Sequence, residues 1–258
     1  MWDWFLTYWS SVGLAAAIVL ALLLFFTKVC RGRLQGSRWR DPVWVAWLTT
    51  LAYLLHNFEE YGVDALGRAF HFPLWMCQQF GHASLEACPI PLSYFVAVNI
   101  PLIWIALPIA ALWCRSHPAV GLSGAGLLLV NAVAHVGGLL AGGGYSSGTL
   151  TAAVIFLPLS IWTFVAFFGQ GKLLRWPVLG AILVASLLMH GILLGLMLAF
   201  LGGVLSLLAL IVLQQLCPLV LLLLPWLASR KWPGLDGKAM PLRWRPGRMS
   251  RTQVKTMS

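Results

Sequence analysis

The chain predicts an all-α, polytopic transmembrane helical bundle of about seven spans, and three observations carry that expectation. Of its 258 residues, 60% are hydrophobic and 9% are charged, with a mean hydropathy of +0.86; soluble globular domains carry roughly a quarter charged residues. Apolar runs of about 18 to 25 residues, enough to cross about 30 Å of hydrocarbon, recur along its length. The 14 tryptophans include Trp2, Trp4, Trp9, Trp44, Trp75, Trp113, Trp176 and Trp226 close to predicted span ends, where an interfacial aromatic belt sits.

The runs fall near 11–29, 42–61, 91–113, 118–142, 149–168, 177–200 and 204–227. No Lys or Arg precedes the first and no small-residue cleavage site follows it, so it reads as a retained helix rather than a cleaved signal peptide. Lys28, Arg31, Arg33, Arg38 and Arg40 separate the first two spans. Arg115 follows the third, and Lys172 and Arg175 follow the fifth. Only Arg68 of the 17 basic residues falls on the opposite side of a seven-span chain. The positive-inside rule then predicts an outer amino terminus and a cytoplasmic carboxyl terminus. The last two spans are separated by little more than Gly202-Gly203, which permits a tight turn.

Residues 1–229 are therefore the expected bundle, and 230–258 a basic cytoplasmic tail. The tail is polar, interrupted by Pro and Gly, and without apolar periodicity, which predicts disorder. Its cations suit anionic membrane lipids at about 1 kcal/mol each. The net charge of +10 is thus topogenic, and no nucleic-acid partner is expected. No internal repeat is visible.

Between the second and third spans, residues 62–90 read as one sizeable outer loop holding Asp64, Arg68, His71, His82 and Glu86. Its Cys77 and Cys88, on an oxidising side, are compatible with a disulfide or with two free thiols. Cys30, Cys114 and Cys217 fall at cytoplasmic ends or inside a span and are expected as thiols.

Function is concentrated in His56-Asn57-Phe58-Glu59-Glu60, at the end of the second span. Spacings of i, i+3 and i, i+4 bring His56 onto one helical face with Glu59 and Glu60. Ionisable side chains inside a membrane are costly, so they mark sites. At about 1.5 Å per residue, His56, Asn99, Asn131, His135 and His190 all lie in the outer half of the bilayer, with Tyr145, Thr149 and Thr151 at its mouth. A topology drawn from Lys and Arg alone thus gathers the polar groups of four helices into one chamber. The glycines at 137–138 and 142–144 permit close packing and a turn; no P-loop or dinucleotide pattern surrounds them.

At His56-Asn57-Phe58-Glu59-Glu60 the chain resembles the HXXEE-domain family of bacterial integral membrane proteins, a family of uncharacterised function. Asn131-Ala132-Val133-Ala134-His135 is similar to that family's N-x-x-x-H element. Tyr145-Ser146-Ser147-Gly148, followed by Thr149 and Thr151, resembles its Y-S-P-G segment with Ser147 in place of the proline. The resemblance covers about residues 45–165. It implies His56, Glu59, Glu60, Asn131, His135 and Tyr145 as functional candidates and a cell membrane as location, without implying a reaction.

The residue types permit two chemistries. His56, Glu60 and His135 could bind a divalent transition metal, which activates water or polarises an oxygen. Alternatively, adjacent carboxylates share a proton and act as an acid–base pair. On either, His56, Glu59, Glu60 and Tyr145 are the expected catalytic residues, with Asn131, Asn99 and His190 in support. The reading placed first is a membrane-embedded enzyme acting on a lipid or isoprenoid. A proton-coupled transporter and a metal- or ligand-binding sensor without turnover are the alternatives. Substrate, oligomeric state and the protonated glutamate are not specified by sequence.

Overall fold

The computed structural model describes residues 1–32 and 35–234. Among these the chain is all-α: only two isolated bridges, Val63 with Ala69 and Phe168 with Leu174, have β character. The helices are α1 (Trp2–Phe26), α2 (Pro42–Tyr61), α3 (His71–Gln79), α4 (Leu92–Trp113), α5 (Pro118–Gly143), α6 (Thr149–Phe167), α7 (Trp176–Leu201) and α8 (Leu207–Lys231). Six of them, all but α2 and α3, are long and apolar enough to cross a membrane.

Helix α2 is 20 residues long yet falls outside that six, and its packing explains why. Sixteen of its residues are buried, so it lies against protein nearly all round and needs no continuous lipid-facing surface. Asp41 caps its start by accepting from the amides of Val43 and Trp44, satisfying donors that a helix leaves unpaired. Pro42 supplies a first-turn residue whose missing N–H costs nothing there. On one side α1 packs along it, where Gly13 leaves room beside Leu54 and Trp104. On the other sides lie α4, α5 and α6.

Three helices contain widened, π-helical turns: Ile100–Ala106 in α4, Leu139–Gly143 in α5 and Ala152–Phe156 in α6. The first and third lead directly into Pro108 and Pro158. A proline cannot donate to the ladder and its ring clashes with the carbonyl four residues back, so the wider turn relieves both faults. Such turns accompany functional sites, and all three flank the region described next.

Several expectations change on folding. The first helix begins at Trp2 rather than near residue 11, with Asp3 in its first turn, where an acidic side chain suits the helix dipole. Trp9 and Trp44, expected in an interfacial belt, are buried instead. Trp9 packs against Tyr61 in a tilted pair, with ring centroids 4.9 Å apart, and the Trp44 indole donates to Leu24 O at 3.0 Å. Trp2, Trp4, Trp113 and Trp176 do stay exposed. The loop 62–90 contains α3, whose far end is tied down by a Cys77–Cys88 disulfide; Cys30, Cys114 and Cys217 are buried free thiols. Of the basic tail, Arg230 and Lys231 complete α8, and residues 235–258 lie outside the described residues.

Candidate functional site

Consecutive residues on an α-helix point about 100° apart, and the last turns of α2 use this to send Glu59 and Glu60 to different places. Glu59 meets the start of α6. Its carboxylate accepts from Leu150 N (3.0 Å), Thr151 N (2.8 Å), the Thr151 hydroxyl (2.5 Å) and the Tyr145 hydroxyl (2.5 Å). A helix start exposes unpaired amides and a partial positive charge, and Glu59 caps both from another helix. The two glutamates therefore do not face each other, and the proton-sharing pair that the sequence allowed is not formed.

Glu60 points instead at two histidines. Its Oε1 lies 3.4 Å from His56 Nε2 and 3.3 Å from His135 Nε2. All three side chains are buried, and their ligand atoms fall within 4.8 Å of one another. The far nitrogen of each ring is held by a hydroxyl: His56 Nδ1 by Thr151 at 2.8 Å, His135 Nδ1 by Ser146 at 3.1 Å. Ser146 is in turn bonded to Thr149 at 3.1 Å.

Proton accounting gives His56 its tautomer. The single Thr151 proton is directed to Glu59 at 2.5 Å, its other reachable acceptor being Gly148 O at 3.2 Å. Towards His56 the hydroxyl can then only accept, so Nδ1 carries the ring hydrogen. Nε2, a buried nitrogen without a hydrogen-bond partner, then meets the carboxylate at 3.4 Å either as a lone pair or as the second N–H of an imidazolium. Two buried lone pairs facing one another are unfavourable until a proton or a metal ion lies between them.

Gly148 closes the site. It has φ +96°, and a Cβ there would stand 2.7 Å from His56 Cε1, 2.9 Å from His135 Cε1 and 3.0 Å from Glu60 Cγ. A side chain is excluded both by that conformation and by the space. Beside it, Ser147 donates to Asp64 Oδ2 at 2.9 Å, and His71 Nδ1 lies 3.3 Å from the same hydroxyl. Arg68 adds a 2.8 Å pair to Asp64. Burial pushes the Asp64 carboxyl up, but the bonds from Arg68, Ser147 and the Leu66 amide outweigh it and hold it below the usual range. Burial, then Arg68, lowers His71. Burial and the bond to Glu59 raise the Tyr145 hydroxyl.

A chamber of about 350 Å³ adjoins the cluster. Glu60, His135, Asn99, Asn131 and His190 all line it, with Phe72, Trp75 and Met76 of α3 forming one wall. The sequence had placed these polar residues together, and the structure does so. Of the four residues expected to be catalytic, only Glu60 reaches the chamber lining. His56 is fully buried beside it, and Glu59 and Tyr145 hold the α6 turn. Sequence reasoning had not assigned roles to Ser146, Gly148 and Thr151. Their one signal was membership in the Tyr145–Thr151 segment, whose small and hydroxyl residues sit over the histidines.

Residues 47–163 match the family model described as protein of unknown function with HXXEE motif. Neither a curated protein nor a solved structure matches the chain. The histidine–glutamate cluster lies inside this matched segment.

Proposed function

Starting from an HXXEE segment held in a membrane-like bundle, we propose that His56, His135 and Glu60 bind a divalent transition metal. The protein would use it as a membrane-embedded enzyme on a lipid-like or isoprenoid substrate. One observation carries the reading. Two ligands bonded at about 2.0–2.1 Å to a tetrahedral centre stand about 3.3 Å apart, and Glu60 Oε1 stands 3.4 Å and 3.3 Å from the two Nε2 atoms. Two histidines and one carboxylate are a donor set used by catalytic zinc, which keeps a fourth position for water or substrate. Fe and Mn are also compatible by ligand type.

The surroundings support the same reading. Hydroxyls on both Nδ1 atoms orient the rings as outer partners of metal ligands do. The metal would supply activation of water or polarisation of a substrate oxygen. Helix α2 serves as a seventh span in this proposal, with the amino terminus outside, because the cations then collect on the cytoplasmic side. The cluster and its chamber lie in the outer half of the bilayer, open to an amphiphile.

Elemental analysis of protein purified in lipid nanodiscs tests this. The wild type should hold close to one metal per chain, and His56→Ala and His135→Ala close to none while remaining folded. If the wild type holds no metal after reconstitution with Zn, Mn and Fe at neutral pH, the cluster is a proton-handling His–Glu group, and proton-coupled transport moves to the front.

A further inference from the structure

The chamber's polar groups are directed by carbonyl partners, and this specifies what kind of head it can hold. His190 places Nδ1 at 2.8 Å from Ser186 O. A carbonyl only accepts, so Nδ1 carries the hydrogen and Nε2 presents a lone pair. Asn99 donates from Nδ2 to Phe95 O at 2.9 Å and to the Tyr61 hydroxyl at 3.2 Å. That carbonyl fixes the amide's orientation independently of any choice between its O and N atoms, leaving Oδ1 as an acceptor. Glu60, also in the lining, is a third group with acceptor oxygens. On the donating side stand the hydroxyls of Tyr61 and Tyr53, which accept from Asn99 and Asn131 and keep their own protons available. No Lys or Arg is among the lining residues.

We infer that the chamber selects an amphiphile with an uncharged, hydrogen-bond-donating head, an alcohol in chemical class, over one ending in a carboxylate or phosphate. An alcohol can donate to His190 Nε2 or Asn99 Oδ1 and accept from Tyr61. Where it reaches His190 and Asn99, an anionic head would meet lone pairs with no cationic side chain to offset them, and unpaired buried polar groups are what give such sites their discrimination. The chain of the amphiphile would run along Phe72, Trp75, Met76 and Leu193. This inference takes the chamber of the proposed function as the substrate site but does not depend on the metal.

The test uses 10-bromodecanol and 10-bromodecanoic acid as probes at pH 9, with the protein in lipid nanodiscs. Bromine quenches tryptophan emission at short range, so the part of the quenching that is lost in Trp75→Phe, over that of the lipid-exposed tryptophans, reports occupancy of the chamber. The alcohol should bind at least tenfold more tightly than the acid. A double variant, His190→Leu with Asn99→Leu, should reduce that preference below threefold. Chelator-stripped protein should retain the preference, because the acceptors belong to the chain. Equal or tighter binding of the acid to chelator-stripped protein overturns the inference, as does a preference that disappears with the metal while the metal itself is confirmed. An alcohol preference in protein that binds no metal sustains the inference and removes the metal reading instead.

Discussion

Glu59 and Glu60 are neighbours in the chain and opposites in their surroundings. Around Glu59 every contact is a donor: two amides of α6, a threonine hydroxyl and a tyrosine hydroxyl. Around Glu60 two imidazole nitrogens approach at 3.4 and 3.3 Å, and that of His56 makes no hydrogen bond of good geometry. One carboxylate is saturated and holds two helices together. The other faces two rings across a gap that a proton or a metal ion can fill. The contrast teaches that buried charge alone does not mark a functional group; the hydrogen-bonding character of its neighbours does.

The comparison breaks most completely at Glu60. Glu60→Gln should abolish bound metal in elemental analysis while the protein keeps its helical circular dichroism, with unfolding lowered only by the stabilisation that the bound metal supplied. Glu59→Ala should do the reverse in kind. It strands buried donors at about 1–3 kcal/mol each, so the midpoint of thermal unfolding should fall by roughly 10 °C, as followed by circular dichroism.

Thr151→Val touches both niches, because one hydroxyl serves Glu59 and His56. Loss of such an outer partner weakens metal binding by about 10–100-fold, measurable by competition with a chromophoric chelator. A change under threefold would mean that the His56 tautomer is not set by Thr151. Ser147→Ala, beyond both niches, should cost about 1 kcal/mol in denaturant or thermal unfolding, through its bond to Asp64.

The smallest effect concerns pH. The His71 ring is lowered by burial, then by Arg68, with Asp64 opposing. The unfolded chain therefore takes up this proton at higher pH than the folded one, and stability is lost as pH falls below about 6.5. Unfolding followed between pH 7.5 and 5.5 should show this slope in wild type and a flatter one in His71→Gln.

Much of this was legible in order along the chain. Long apolar runs, the cation distribution and the His56–Glu60 spacing are local patterns, and a helix converts them into spans and a face with little ambiguity. His56 with Glu60 follows from the i, i+4 rule alone. His135 joined them because its depth could be counted from the ends of its span. The role of Glu59 was not legible, since i+3 and i+4 positions share a broad face and only the arrival of α6 separates their partners. Nor could the burial of Trp9 and Trp44 be read, because an indole at a span end looks the same whether lipid or another helix covers it.

The sequence by itself determined an all-helical, membrane-like chain with one polar cluster, because hydrophobic length and helical periodicity are properties of contiguous residues. Only the tertiary structure decided that Gly148 leaves room for two imidazoles, that Thr151 holds the far nitrogen of His56, and that two adjacent glutamates do different work. Those outcomes depend on where α5 and α6 meet α2, across separations of about 80 to 95 residues, and no local pattern encodes the direction of a hydrogen bond made over that distance.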